Sequence, residues 1–173
     1  MRDKKVEKMK KYAKYVIRAK ELRVKDAKII PTKSIVTAEW VRIKCQFGCS
    51  GYGHGLMCPP YTPTPEQTRR ILTYYNYALL VHVDEMINVS KIVFKIEEEI
   101  FFDGYYKAFS MGAGPCFLCE KCPKFCRHLT EARPSMEACG IDVYKTVRAH
   151  GFPIEVLKTR NCKFNFYGLV LIE

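Results

Sequence analysis

The sequence holds a single tryptophan, four histidines and no apolar run long enough to cross a bilayer. A membrane-spanning helix needs about 20 predominantly apolar residues. The longest apolar stretches, YALLVHV and YGLVLI, instead read as buried strands. Internal repeats, low-complexity stretches and long polar linkers are also missing. No Ser–His–Asp arrangement is visible, and Gly112-Ala113-Gly114 lacks the lysine that a phosphate-binding loop requires. No apolar signal core follows the basic N-terminal segment, which favours a cytoplasmic protein with reduced thiols over a secreted, disulfide-stapled one. The 48% hydrophobic content suffices for a core without covalent cross-links, and the expectation is one metal-binding domain over residues 1–173.

Charge of one sign is in excess. Against 18 acidic residues stand 29 lysines and arginines, a formal charge of +11. Eleven of the basic residues lie in residues 1–25, opposed by Asp3, Glu7 and Glu21. Residues 3–22 read as an amphipathic helix, with Val6, Met9, Ala13 and Val16 on its apolar face and Lys4, Lys8, Lys11 and Arg18 largely opposite. A solvated helix face is favoured over a nucleic-acid surface. The basic exterior would suit an acidic redox partner protein.

Cysteine is the residue present in excess, with nine in the chain. Cys116, Cys119, Cys122 and Cys126 stand in CFLCEKCPKFC, spaced C-x2-C-x2-C-x3-C. This is the spacing with which bacterial-type ferredoxins hold a [4Fe–4S] cluster. Zinc is the main chemical rival, but zinc sites usually pair two C-x2-C knuckles across a longer stretch. A second group, Cys45, Cys49 and Cys58, lies in KCQFGCSGYGHGLMCPP. It suits either a second cluster or a cluster with one iron left open, and an open iron would act as a Lewis acid in an enzyme. Two fully thiolate-ligated cubanes need eight cysteines, so Cys139 and Cys162 are candidates for the eighth. The fourth cysteine of a ferredoxin run often serves the other cluster, so Cys126 could close its own centre or reach across to Cys45, Cys49 and Cys58. Arg127 follows Cys126 where ferredoxins place proline, so the chain is not an ordinary ferredoxin.

The remaining pattern is that of an α+β fold: a small mixed sheet, flanking helices and two cysteine-rich metal-binding loops at 45–63 and 112–128. Glu39–Cys45 alternates and reads as a strand delivering Cys45 at its end. Thr64-Pro65-Glu66-Gln67 is a capping-box helix start, with the helix running to about Tyr75. Tyr77–Val83 reads as a buried strand. Ser90 reads as the cap of a helix with Ile92, Val93, Ile96 and Ile100 as its buried stripe, continuing past Gly104 towards Phe109. Gly140 stops a short turn, Asp142 caps a further helix, and Phe164–Ile172 closes the chain as a strand. Gly112 and Gly114, with Gly51 and Gly53, are candidates to bring backbone N–H groups close to cluster sulfurs. Arg127 and Arg133 are candidates to offset cluster charge, with Glu131 and Glu137 as their partners. His54 and His128 lie beside the thiols, as supporting groups more readily than as ligands, and His82 reads as packed.

The segments CQFGCSGYGHGLMCPPYTPTPEQT, GAGPCFLCEKCPKFCRHLTEARPSMEACGIDV and YGLVLIE resemble the DUF2284 family of predicted metal-binding proteins. The resemblance covers nearly the whole chain. It implies an iron–sulfur protein with ligands at Cys45, Cys49, Cys58, Cys116, Cys119, Cys122 and Cys126. It implies no particular reaction, and it assigns no role to Cys162.

Overall fold

The computed structural model describes residues 10–159 and 162–173. Helix α1 (Ala13–Glu21) is the described part of the expected N-terminal helix, and residues 3–9 lie outside the described residues. Its buried side chains are Tyr15 and Ala19, with Tyr12 just before it, while Ala13 is exposed. The apolar face is therefore rotated from the expected one, because the tyrosines carry the packing. Tyr12 meets Tyr77 and Tyr105 at centroid distances of 5.5 and 5.7 Å. Its hydroxyl donates to Glu173, and that of Tyr15 to Asp103 at 2.8 Å. Each ring thus buries its apolar body while satisfying its polar tip.

Strands β1 (Asp26–Pro31), β2 (Tyr77–Val83), β3 (Phe109–Met111) and β4 (Phe166–Leu171) form one four-stranded sheet in the order β1-β2-β4-β3. Every pairing is antiparallel, so the sheet is not mixed as expected. The YALLVHV run is β2 itself, buried at every position because both faces are covered. On one face Leu79, Val81 and Val170 pack under α1 and under α4 (Val89–Phe102), through Val93, Ile96 and Ile100. On the other face Ala78, Leu80, Leu169 and Leu171 pack against Met136, Ile141, Val147 and Phe152. The fold is α+β.

Three local expectations are corrected. Glu39–Gly48 is a helix, α2, not a strand. Alternation over so few residues also satisfies helical spacing: Trp40 and Lys44, and Val41 and Cys45, are both i,i+4 pairs on adjoining rows. Helix α4 is capped by Asn88, whose side chain accepts from the Lys91 N–H at 3.0 Å, so Ser90 lies inside its first turn. It ends at Phe102 without continuing through Phe109, because Phe109–Met111 pairs with β4 instead.

The other helix signals are present. Thr64 and Gln67 form a reciprocal capping box at the start of α3 (Pro65–Leu72). The Asp142 carboxylate accepts from the Lys145 N–H at 2.9 Å and caps α5 (Val143–Arg148). Among the described residues no helix is long and apolar enough to cross a membrane.

Gly140 ends the 3₁₀ turn Glu137–Cys139 with φ of 74°, and its carbonyl accepts from the Ala38 N–H at 2.9 Å. A Cβ there would approach Pro65 Cγ to 2.4 Å and Pro65 Cα to 2.9 Å. Left-handed backbone costs about 1–2 kcal/mol for a residue with a Cβ, and overpacking costs about 1–3 kcal/mol. Gly140→Ala is therefore expected to lower unfolding stability by about 3 kcal/mol in urea titration, whereas Gly104→Ala, with a φ of 96° and open space around it, pays only the first cost.

Candidate metal centre

Helix α2 and the loop after it build one half of the site. Trp40, Val41, Lys44 and Cys45 form one face of α2, and that face lines a cavity of about 560 Å³ together with Cys49, Cys58 and Glu137. Cys49 is the residue at which the helix ends. The loop is held by Arg42. Its guanidinium donates to Thr62 Oγ1 at 3.1 Å, the Thr62 carbonyl at 3.0 Å and the Ala138 carbonyl at 3.2 Å. Thr62 itself donates to the Ala138 carbonyl at 2.6 Å. The end of the upstream cysteine loop is thereby clamped to the Glu137–Cys139 turn.

The downstream run closes a second cavity, of about 390 Å³. Cys116, Cys119, Cys122 and Cys126 all line it, and so does Cys58. Cys58 is the one cysteine on the walls of both cavities. Burial pushes its thiol up, and Cys49, Cys45, Cys116 and Cys122 add to the shift, so it lies within electrostatic reach of both groups. Burial also pushes up Cys45 and Cys116. For Cys116 a backbone hydrogen bond from Leu118 opposes the shift, and Cys126, Cys122 and Cys119 reinforce it. Without a cation these thiols hold their protons, and a bound metal displaces them.

Backbone N–H groups already point at sulfur. Leu56 donates to Cys122 Sγ at 3.4 Å, across the two loops. His128 donates to Cys126 Sγ at 3.4 Å and Gly51 to Cys49 Sγ at 3.5 Å. Gly51 and Gly55 form a close cradle for Cys58, since a Cβ on either would come within 3.1 and 3.2 Å of its Sγ. This thiol-lined, amide-fringed donor set fits a soft metal or an iron–sulfur group. The thiols share cavities without converging: among the described residues no three Cys, His, Asp or Glu side chains are gathered as a metal-holding group.

The other expected site residues fall in different places. Gly114 lines the larger cavity. Gly112 lines neither; its N–H donates to the Pro134 carbonyl at 2.9 Å, and a Cβ would meet Ser90 Oγ at 2.0 Å, so its small size serves packing against α4. Arg127 is exposed and lines neither cavity. Arg133 pairs with Glu97 at 2.6 Å, not with Glu131 or Glu137. Glu131 pairs with His128 at 2.8 Å. His54 and His128 line the smaller cavity, and His82 is packed in β2, 2.7 Å from Asn165 Oδ1. Cys139 is buried in the core under the second sheet face, where burial pushes its thiol up to about 12. Cys162 lies 3.4 Å from Thr159 Oγ1 and lines neither cavity.

The model of the family described as "Predicted metal-binding protein (DUF2284)" matches residues 28–172, which takes in all seven thiols of the two loops. The chain belongs to the DUF2284 family. No curated protein and no solved structure matches it. Membership in DUF2284 makes the chain a predicted metal-binding protein, and the matched span contains both cavities and the clamp between them.

Sequence reasoning missed two residues that shape the site. Arg42 carries no signal beyond its position on α2. Glu137 was read as a partner for an arginine, yet its Oε2 is shut off from solvent and has no hydrogen-bond partner. Burial pushes its carboxyl up, while hydrogen bonds from its own backbone and from Ser135 pull the other way.

Proposed function

We propose that the chain is a cytoplasmic iron–sulfur protein with two [4Fe–4S]-type centres that serves in electron transfer or as a redox accessory. The carrying observation is that Cys116, Cys119, Cys122 and Cys126 line one cavity while Cys45, Cys49 and Cys58 line the next, with Cys58 in the wall between. In this reading the downstream four close their own centre, and Cys126 does not reach across. The side chains would converge by rotation about χ1 among the staggered rotamers. The amides of Leu56, Gly51 and His128 hydrogen-bond to the sulfurs and tune the potential. Bound clusters would supply one-electron chemistry, and the chain would hold them, shield them and present them to a partner.

The surface around the downstream run supports a partner. Phe117, Phe125 and Leu129 are exposed, and Lys121, Lys124 and Arg127 stand among them. Exposed apolar side chains interleaved along the run with basic ones suit an acidic redox protein, with the charge acting mainly on encounter rate.

Anaerobic purification with iron, sulfide and zinc analysis tests this reading. About eight iron and eight sulfide per chain, with a signal that appears and disappears on one-electron reduction and reoxidation, is the expected outcome. A colourless protein holding zinc and no sulfide would refute it. One observation favours a second reading, an enzyme with an open iron: the upstream cavity offers three thiols and no fourth.

A further inference from the structure

The cavity beside the upstream thiols is too apolar and too large to serve the thiols alone. At about 560 Å³ it lies within the usual range of about 300–1,000 Å³ for small-molecule sites. Trp40, Tyr52, Tyr144 and Phe166 supply aromatic faces to its wall, and Ile141 and Ile154 supply aliphatic surface. Against this lining stands Glu137 Oε2, enclosed and without a hydrogen-bond partner. An unpaired buried carboxyl oxygen costs stability, so its presence beside a ready-made apolar cavity points to a partner group. The Glu137–Cys139 turn is fixed without Oε2: Gly140 ends it, Arg42 and Thr62 hold the Ala138 carbonyl, and Thr68 holds the Cys139 carbonyl at 2.6 Å.

We propose that this cavity binds a small neutral aromatic molecule bearing a hydroxyl group, with Glu137, whose enclosed Oε2 turns into the cavity on binding, as its polar anchor and the aromatic side chains as its walls. A hydroxyl both donates and accepts, so it completes Glu137 Oε2 in either protonation state. An anionic head is disfavoured because it would lose its water in an apolar cavity beside a carboxyl that repels it whenever ionised. The ring gains apolar burial and offset or edge contacts with the surrounding aromatics. That the ligand sits beside a metal rests on the reading given above; that it binds on Glu137 does not.

The test uses the purified chain as isolated, with 4-fluorophenol and fluorobenzene as paired probes followed by fluorine NMR. Trp40 is the sole tryptophan and lines the cavity, so its fluorescence reports occupancy independently. The expected result is saturable binding of 4-fluorophenol, about tenfold tighter than fluorobenzene, the size of one buried hydrogen bond. Glu137→Leu should erase the difference between the probes, and Glu137→Gln, which keeps hydrogen-bonding capacity, should retain much of it. Cooperative melting of both variants alongside the parent shows that each is folded. Saturable binding by neither probe, or a phenol preference undiminished in Glu137→Leu, would overturn the proposal. Metal analysis of the same samples separates the two readings: binding without metal sinks the metal centre alone, and metal without binding sinks this proposal alone.

Discussion

Arg133→Met is expected to lower the unfolding free energy by about 3–5 kcal/mol, the cost of stranding one member of a buried ion pair. Glu97 is buried, and its Oε2 accepts from Arg133 Nε at 2.8 Å, the Ser110 N–H at 2.7 Å and the Ser110 hydroxyl at 2.6 Å. Its Oε1 accepts from the second guanidinium nitrogen at 2.6 Å. The guanidinium also stacks near Phe94 and Phe109, 4.8 and 5.4 Å from their centroids. Removing the cation leaves the carboxylate with the Ser110 donors alone in a poorly hydrated place. The double variant Glu97→Leu/Arg133→Met should recover much of the loss, because it removes both charges and replaces them with apolar volume. Urea titration of parent, single and double variants checks this, and equal losses in the single and double variants would contradict it. The pair also has a place in the site. It ties the segment leaving the downstream cysteine loop to α4 and β3, so Arg133→Met should loosen that loop and weaken metal retention there.

That ion pair shows where sequence reading stops. Glu97 sits in the i,i+3,i+4 pattern as one acid among several on α4, and Arg133 stands 36 residues away, so only the packed fold shows that they meet. The local signals were legible because their physics is local. The Thr64–Gln67 capping box, the Asp142 cap and the Gly140 stop each depend on a few adjacent residues. The strand Tyr77–Val83 was legible because an apolar run of seven residues has the length of a strand and is short for a helix. Helix α2 was misread because alternation and helical spacing coincide over Trp40–Cys45, and packing of the helix on the Glu137–Cys139 turn, with Val41 buried, decides between them. β3 has only three residues and exists because β4 offers it an edge. At the site, the seven thiols were readable from spacing. The cavity that Cys126 faces was not, because it depends on how the two loops meet, as Leu56 meets Cys122. Glu137 was unreadable as an enclosed carboxyl, since one glutamate in a short turn carries no sign of burial.

The division of thiols yields the sharpest test of the metal centre. Cys126→Ser should halve the iron and sulfide, to about four of each per chain, and remove one of two reduced-state EPR signals while leaving the other unchanged. Serine is a poor substitute for the soft thiolate, and Cys126 lines only the smaller cavity. Cys49→Ser should do the reverse, because Cys49 lines only the larger one. Cys58→Ser should disturb both signals, since Cys58 faces both cavities and its thiol feels cysteines from both groups. Cys139→Ser should change neither, because that sulfur is packed in the core under the sheet and lines neither thiol cavity. If Cys126→Ser instead spared the downstream signal and removed the upstream one, Cys126 would serve Cys45, Cys49 and Cys58. The larger cavity would then lose its open coordination position, and the case for chemistry at that iron would go with it. If the two single variants act on separate signals, Cys45, Cys49 and Cys58 would be the loop thiolates left to hold the upstream centre, and they would leave one iron without a cysteine beside the cavity that Glu137 lines.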